Sequence, residues 1–276
     1  MPINAGRGER VPLRRLIPNI ITLLGLCAGL TAIRMAIEGR FELAIAAIVA
    51  AAMFDALDGR MARLLKAHSK FGAELDSLAD FVNFGVAPAV TVYVWGLATA
   101  PSVGWAAALI FAICAALRLA RFNVAASETA ERPAWERRFF TGAPTPAGAI
   151  LLLLPLYLEG LGVSKALFPP AVIIIHMLAV AGFMISRAPT FSGKFENARI
   201  DRSEAGPISV AAAACVVMLA TYPYLTLTLA VAAYLALVPL AVRERRRLAA
   251  EHEKATRQEA ASLATRLSIV AKAARD

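Results

Sequence analysis

Apolar segments of about membrane-spanning length recur along most of this sequence. A helix needs about 20 mostly apolar residues to cross a bilayer, and 59% of the 276 residues are hydrophobic, against about 45–50% in soluble domains. The pattern predicts an all-α polytopic membrane protein with about eight transmembrane helices, at residues 16–37, 41–58, 74–97, 104–122, 144–161, 166–186, 207–222 and 224–242. The first run is longer than a signal-peptide core, which indicates a retained helix.

Basic residues are distributed unevenly between the two sides of this predicted bundle. With eight helices both chain ends lie on one side, and that side then carries 25 of the 29 Lys and Arg residues, while the opposite connections keep only Arg40 and Lys165. The positive-inside rule assigns the basic side to the cytoplasm. We therefore expect a cytoplasmic N-terminal segment (1–15), a transmembrane domain (16–242) and a basic cytoplasmic tail (243–276).

The net charge of +9 follows from the same rule. A nucleic-acid partner would need an aromatic or motif signature beside the basic residues, and the sequence has none, so we expect no nucleic acid to bind. Attraction to the anionic headgroups of membrane lipids accounts for the excess charge better.

Four aspartates lie at the predicted cytoplasmic ends of the second and third helices. Asp55 and Asp58 are three residues apart and Asp76 and Asp80 are four apart, so each pair shares one helix face. A single aspartate there could simply favour a helix N-terminus. Four facing carboxylates would repel one another unless cations bind, and hard divalent ions such as Mg²⁺ or Mn²⁺ take oxygen ligands. The pattern predicts a metal site.

The residues between the two acidic pairs favour a phosphate-containing ligand. Gly59 and Gly72 flank the connection, and glycine permits close approach of a ligand to the backbone. Arg63 can grip a phosphate through two parallel hydrogen bonds. Two metal ions beside an arginine would form a clamp for a diphosphate. We interpret His68 as an exposed loop residue.

Eight positions in this stretch follow one pattern, Asp55-x2-Asp58-Gly59-x2-Ala62-Arg63-x8-Gly72-x3-Asp76-x3-Asp80. The pattern resembles, without departure, the signature of the CDP-alcohol phosphatidyltransferase family. The resemblance implies a six-helix core, here with two further helices, a homodimer, and a two-metal centre that uses Mg²⁺ or Mn²⁺. It also implies that the centre faces the cytoplasm from a bacterial inner membrane.

The same resemblance assigns roles to individual residues. It implies that Asp55, Asp58 and Asp76 are metal ligands, and that Asp80 completes the site and acts as the general base. A positioned carboxylate is suited to take the proton of an acceptor hydroxyl. The resemblance further implies that the CDP moiety is lined by Gly59, Ala62, Arg63, Ser69, Gly72 and, through the family-like stretch IPNIIT, by Asn19 and Thr22.

Four further stretches, SLADFVNFGVAPA, LRLARFN, FTGAPTPAGA and MISRAPTFSGK, resemble the bacterial integral-membrane members of the family that use L-serine as the acceptor. The resemblance implies transfer of the phosphatidyl group of CDP-diacylglycerol to serine, with release of CMP. Arg118 and Arg121 share one helix face and could hold the serine carboxylate or reach lipid phosphates. Asn83 could orient the acceptor or pack between helices, and Arg187 and Lys194 could add positive potential.

Other functions fit part of the pattern. Choline, glycerol 3-phosphate or inositol phosphate could replace serine in the same chemistry, although choline offers no carboxylate for the arginine pair. Intramembrane prenyltransferases also bind a diphosphate with aspartates, but they use two motifs on well-separated helix pairs. A divalent-cation transporter would need its ligands near the bilayer midplane, whereas these aspartates lie near the predicted cytoplasmic edge.

Overall fold

The computed structural model describes residues 16–67, 69–127, 135–136, 139–191 and 202–273. Within these ranges the chain is almost entirely helical. Its α-helices are α1 (Leu16–Ile37), α2 (Phe41–Leu64), α3 (Lys70–Asp80), α4 (Ala87–Val92), α5 (Pro101–Ser127), α6 (Thr145–Leu152), α7 (Leu154–Gly160), α8 (Pro170–Ile185), α9 (Arg202–Thr221) and α10 (Pro223–Ala273). Two π-helical turns (Phe81–Val86 and Tyr93–Leu97), a 3-10 turn (Lys165–Leu167) and two strands, β1 (Phe139–Thr141) and β2 (Pro189–Phe191), complete the fold.

Several of these helices have the length and composition of membrane spans. Among the described residues, four helical stretches are long and apolar enough to cross a bilayer: Leu16–Ile37, Lys70–Leu97, Pro101–Ala125 and Pro223–Gln258. Shorter apolar helices cover Pro170–Ile185 and Gly206–Thr221. The prediction of a helical membrane protein is therefore confirmed in outline, with one short two-stranded sheet that the sequence did not predict. The number of spans and the side on which each terminus lies stay predictions.

Two helix boundaries near the aspartates differ from the sequence-based expectation. α2 begins at Phe41 as predicted but continues to Leu64, and α3 begins at Lys70 instead of residue 74. Residues 59–64 include Arg, Met, Ala and Leu, all good helix formers, so the helix continues past its apolar part. As a result Asp55 and Asp58 lie within the last turns of α2 and do not end it.

The first two helices pack closely along small side chains. The buried face of α1 repeats every three or four residues and consists of Pro18, Thr22, Gly25, Gly29, Ala32 and Ala36. The facing side of α2 buries Ala44, Ile48 and Ala51 among others. Small residues let two helix backbones approach closely inside a membrane. This packing brings the N-terminal part of α1 beside the acidic end of α2.

A proline interrupts the helical hydrogen bonds at the junction of α6 and α7, and a histidine supplies the missing donor. Pro155 has no N–H group, so it leaves the carbonyl of Leu151, four residues earlier, without its helical partner. The His176 Nε2 atom on α8 lies 3.0 Å from that carbonyl oxygen. A carbonyl only accepts, so the imidazole N–H donates to it. His176 thus compensates for the proline and ties α8 to α6.

A two-stranded antiparallel sheet joins the segments before α6 and after α8. Phe139 pairs with Phe191, Phe140 with Thr190, and Thr141 with Pro189. The turn after β1 places Gly142 at φ +77°, a left-handed conformation that favours glycine. The Gly142 N–H donates to the Ala188 carbonyl at 2.7 Å, which holds the two segments together.

Candidate active site

Three of the four predicted aspartates converge between α2 and α3. One carboxylate oxygen from each of Asp55, Asp76 and Asp80 lies within 4.8 Å of the others. α2 contributes Asp55, whereas Asp76 and Asp80 stand one turn apart on the same face of α3. Three partly buried carboxylates at this separation form a donor set that suits a hard divalent cation. The spacing of the aspartates along the chain therefore produces a compact oxygen-rich cluster.

Asp58 lies beside this cluster and lines the same cavity as Asp76. Its side chain is buried, with 5% exposed, and the Thr22 hydroxyl donates to Asp58 Oδ2 at 2.6 Å. Among the described residues, Asp58 is not part of the group within 4.8 Å. The sequence predicted one centre of four carboxylates. The structure places three of them within this distance and the fourth one turn further along α2, where Thr22 of α1 binds it and its charge still acts on the other three.

A cavity of about 240 Å³ opens next to the acidic cluster. Every residue that the sequence predicted for the CDP moiety lines it. The lining consists of Pro18, Asn19, Thr22, Asp58, Gly59, Ala62, Arg63, Ala67, Ser69, Gly72, Ala73 and Asp76. Sequence reasoning missed Pro18, Ala67 and Ala73, which flank the motif positions but carry no chemical signature. Because Asp76 belongs to both, the cavity and the carboxylate cluster are continuous.

The wall of the cavity near the start of α3 depends on a glycine. Ser69 caps the N-terminus of α3 by accepting a hydrogen bond from the Gly72 N–H at 2.9 Å, as N-cap residues commonly do. A Cβ atom at Gly72 would lie 2.9 Å from Asn19 Oδ1 and 3.0 Å from Ser69 Oγ. A larger residue would therefore displace two polar groups of the cavity. The absence of a side chain at this position keeps the wall in place.

The arginines predicted for the acceptor lie towards the sheet. Arg118 is buried, with 6% exposed, its Nε donates to the Ala143 carbonyl at 3.1 Å, and its guanidinium lies 5.5 Å from the centre of the Phe122 ring. Arg121 donates to the carbonyls of Ile185 at 3.0 Å and Thr141 at 3.2 Å. Arg121 thus fastens α5 to β1 and to the end of α8.

The remaining predicted acceptor residues are dispersed. Asn83 is buried in the first π-helical turn and packs against Gly29 of α1, where no Cβ atom would fit. The described residues that line the cavity do not include Asn83, Arg118 or Arg121. Arg187 is exposed just beyond α8. Lys194 and His68 lie outside the described residues.

Comparison with known protein families identifies the class of protein to which this chain belongs. The family model for CDP-alcohol phosphatidyltransferase matches residues 15–185. The chain therefore belongs to the CDP-alcohol phosphatidyltransferase family, whose members are phosphotransferases that use divalent metals.

Three similar proteins from bacteria carry the same name. A protein of Mycobacterium leprae named CDP-diacylglycerol–serine O-phosphatidyltransferase is 41% identical over 250 residues, which cover 90% of this chain and 81% of that protein. The protein of the same name from Mycobacterium tuberculosis (strain ATCC 25618 / H37Rv) is 39% identical over 256 residues, 91% of this chain and 86% of the relative. One from Helicobacter pylori (strain ATCC 700392 / 26695) is 35% identical over 196 residues, 69% of this chain and 76% of the relative.

Proposed function

We propose that this protein transfers the phosphatidyl group of CDP-diacylglycerol to the hydroxyl of L-serine, giving phosphatidylserine and CMP in phospholipid biosynthesis. The observation that carries the proposal is the continuity between the cluster of Asp55, Asp76 and Asp80 and the cavity lined by all of the expected nucleotide residues. The names of the similar proteins support serine as the acceptor.

The carboxylates would hold two divalent cations, Mg²⁺ or Mn²⁺. Asp55, Asp76 and Asp80 offer oxygens within 4.8 Å of one another, and Asp58 Oδ1 is left for a second ion while Oδ2 accepts from Thr22. When bound, such ions neutralise charge on the diphosphate and on the departing CMP. Asp76 belongs to the cluster and also lines the cavity. It is therefore the ligand that we expect the two ions to share.

The cavity residues have separate tasks in binding CDP-diacylglycerol. Arg63 supplies the positive group for the diphosphate, because a guanidinium matches phosphate oxygens in a two-pronged geometry. Asn19 offers amide groups to the nucleotide. Gly59 and Gly72 leave space for its approach, since neither places a side chain into the wall. The acyl chains remain in the bilayer while the headgroup enters the cavity.

Asp80 is the proposed general base. A hydroxyl is a weak nucleophile until a positioned group removes its proton, and this assistance contributes roughly 10²–10⁴-fold. Asp80 stands one turn after Asp76 on α3 and close to Asp55. A serine hydroxyl brought against this cluster would therefore meet both the proton acceptor and the phosphorus to be attacked.

Arg118 is the residue we propose for the serine carboxylate. Its burial disfavours the alternative in which it reaches lipid phosphates, and its Nε is held by the Ala143 carbonyl. Arg121 would support it by keeping α5 on the sheet. Asn83, three residues beyond Asp80, would contribute by packing the π-helical turn against α1.

We further propose the setting of this reaction. The protein would span a bacterial inner membrane eight times, with residues 1–15 and 243–276 in the cytoplasm and the acidic cluster at the cytoplasmic surface. The charge distribution supports this arrangement, because 25 of the 29 Lys and Arg residues fall on that side of the predicted bundle. A homodimer is the oligomeric state expected from the family.

A panel of acceptors tests the proposed function. Purified protein is given CDP-diacylglycerol, Mn²⁺ or Mg²⁺, and one of serine, choline, glycerol 3-phosphate or inositol phosphate, and CMP release is measured. Serine is expected to give the fastest release and phosphatidylserine as the product. Equal or faster release with choline would contradict serine as the acceptor. Metal flux into vesicles without any lipid substrate would favour a transporter instead.

A further inference from the structure

Ser77, which lies between Asp76 and Asp80 on α3, is hydrogen-bonded to α5. Its hydroxyl accepts from Asn123 Nδ2 at 2.8 Å and donates to the Ala73 carbonyl at 3.0 Å. Both Ser77 and Asn123 are partly buried. The contact joins residues 46 positions apart in the chain, so it is a tertiary link between the helix that carries two acidic residues and its neighbour.

The chemistry of the pair fixes the orientation of the Asn123 amide. A serine hydroxyl has one proton, and the Ala73 carbonyl receives it because a carbonyl cannot donate. The remaining interaction of Ser77 must therefore be as an acceptor. Asn123 accordingly presents its NH₂ group to Ser77.

The position of Ser77 on α3 places this link beside Asp80. At about 100° per residue, Ser77 lies about 60° from Asp80 and about 100° from Asp76 around the helix axis. Elsewhere α3 packs on α1, and α5 packs most extensively on α8 and also on the π-helical turn that follows α3. The hydrogen bond from Asn123 therefore connects α5 to α3 at the level of the acidic residues.

We propose that Asn123 is a positioning residue that sets the distance between Asp80 and the acceptor hydroxyl. This inference rests on the proposed function. α5 carries both Asn123 and Arg118, so a single helix both holds the proposed group for the serine carboxylate and fixes the face of α3 that bears the base. The cavity for CDP-diacylglycerol is lined by α1, α2, the connection that follows α2, and α3 as far as Asp76, and its described lining includes neither Ser77 nor Asn123, so we expect Asn123 to act on the acceptor more than on the nucleotide.

Four variants test the link: Asn123→Ala, Ser77→Ala, the double variant, and Ser77→Thr as the matched control. A hydrogen bond of this kind contributes about 1 kcal/mol, so we expect each alanine variant to lower kcat/KM for serine about five- to tenfold. The KM for CDP-diacylglycerol should stay within about twofold of the unmodified protein. The double variant should be no worse than either single one, because both remove the same interaction. Ser77→Thr keeps the hydroxyl and should retain activity.

Three results would overturn the positioning role: additive losses in the double variant, equal rises in the KM of both substrates, or a Ser77→Thr variant as impaired as Ser77→Ala. Thermal unfolding identifies variants that fail to fold. If Asn123→Ala fails, the comparison of Ser77→Ala with Ser77→Thr decides the question alone. If the unmodified protein prefers another acceptor of the panel, serine is wrong as the substrate, and the same variants are measured with that acceptor.

Discussion

Thr22 on α1 donates a hydrogen bond to Asp58 on α2 at 2.6 Å, across the small-residue interface between the two helices. A hydrogen bond to a carboxylate is stronger than one between neutral groups. It holds Asp58, which also lines the cavity, against α1. The packing of two apolar helices is thereby coupled to the geometry of an acidic group, and the coupling can be tested.

Replacing Thr22 by valine removes the hydroxyl and preserves the shape of the side chain. Hydrogen bonds to charged groups contribute about 1.5–3 kcal/mol, so we expect Thr22→Val to raise the Mn²⁺ concentration for half-maximal CMP release about tenfold or more. Thr22→Ser keeps the hydroxyl and is the control. A Thr22→Val variant with an unchanged metal requirement would show that the bond does not orient Asp58 for an ion.

Asp80→Asn keeps the size of the side chain but removes its basicity. We expect this variant to bind CDP-diacylglycerol normally and to release CMP at least about a hundredfold more slowly, since general base assistance is lost. Glu74→Gln, on the exposed side of the same helix, is the matched control and should be fully active. Steady-state CMP release together with a binding assay separates the two effects. Substantial turnover by Asp80→Asn would assign the proton transfer to another group.

Gly72→Ala introduces a methyl group where Asn19 Oδ1 and Ser69 Oγ are 2.9 and 3.0 Å away. The methyl group would displace the Asn19 amide from the cavity wall, and one lost hydrogen bond is worth about 1 kcal/mol, so we expect the KM for CDP-diacylglycerol to rise about fivefold while the KM for serine is unchanged. Gly182→Ala on α8 has open space around the added methyl group and should have no effect. If both variants have the same KM for CDP-diacylglycerol, the cavity is not the nucleotide site.

His176→Leu should destabilise the protein without affecting its chemistry. The variant leaves the Leu151 carbonyl, freed by Pro155, without the imidazole donor. Side-chain hydrogen bonds inside membrane proteins contribute about 0.6–1.7 kcal/mol, so the free energy of unfolding should fall by that amount. His176→Gln retains a donor and should recover part of the loss. Unfolding in mild detergent measures the difference, and a change in kcat per folded molecule would indicate a role in the reaction.

Helical periodicity explains why the positions of Asp55, Asp76 and Asp80 could be predicted. Residues three or four apart share a helix face, and a short connection between two helices forces those faces together. The glycines and Arg63 follow because they lie in the same connection. These local rules indicated where the acidic cluster lies, whereas the family resemblance supplied the lining residues of the cavity, and the roles of the individual residues stay predictions.

Contacts between distant parts of the chain could not be predicted in this way. The sequence gives no sign that Arg121 binds the carbonyls of Thr141 and Ile185, because backbone carbonyls carry no residue-specific signature. It gives no sign either that Asn123 reaches Ser77. The separation of Asp58 from the other carboxylates depends on Thr22, whose partner lies 36 residues away. Such contacts follow from helix packing and not from spacing.

The length of α10 links the tilt of its apolar part to the position of its charged end. α10 runs from Pro223 to Ala273 with Pro239 inside it, so its apolar first part and its charged second part form one continuous helix. The stretch 243–273 is about 46 Å long at 1.5 Å per residue, and a tilt of about 5° in the bilayer would move its far end by about 4 Å. Lipid thickness alters helix tilt, so a change in bilayer thickness would shift the charged end of α10.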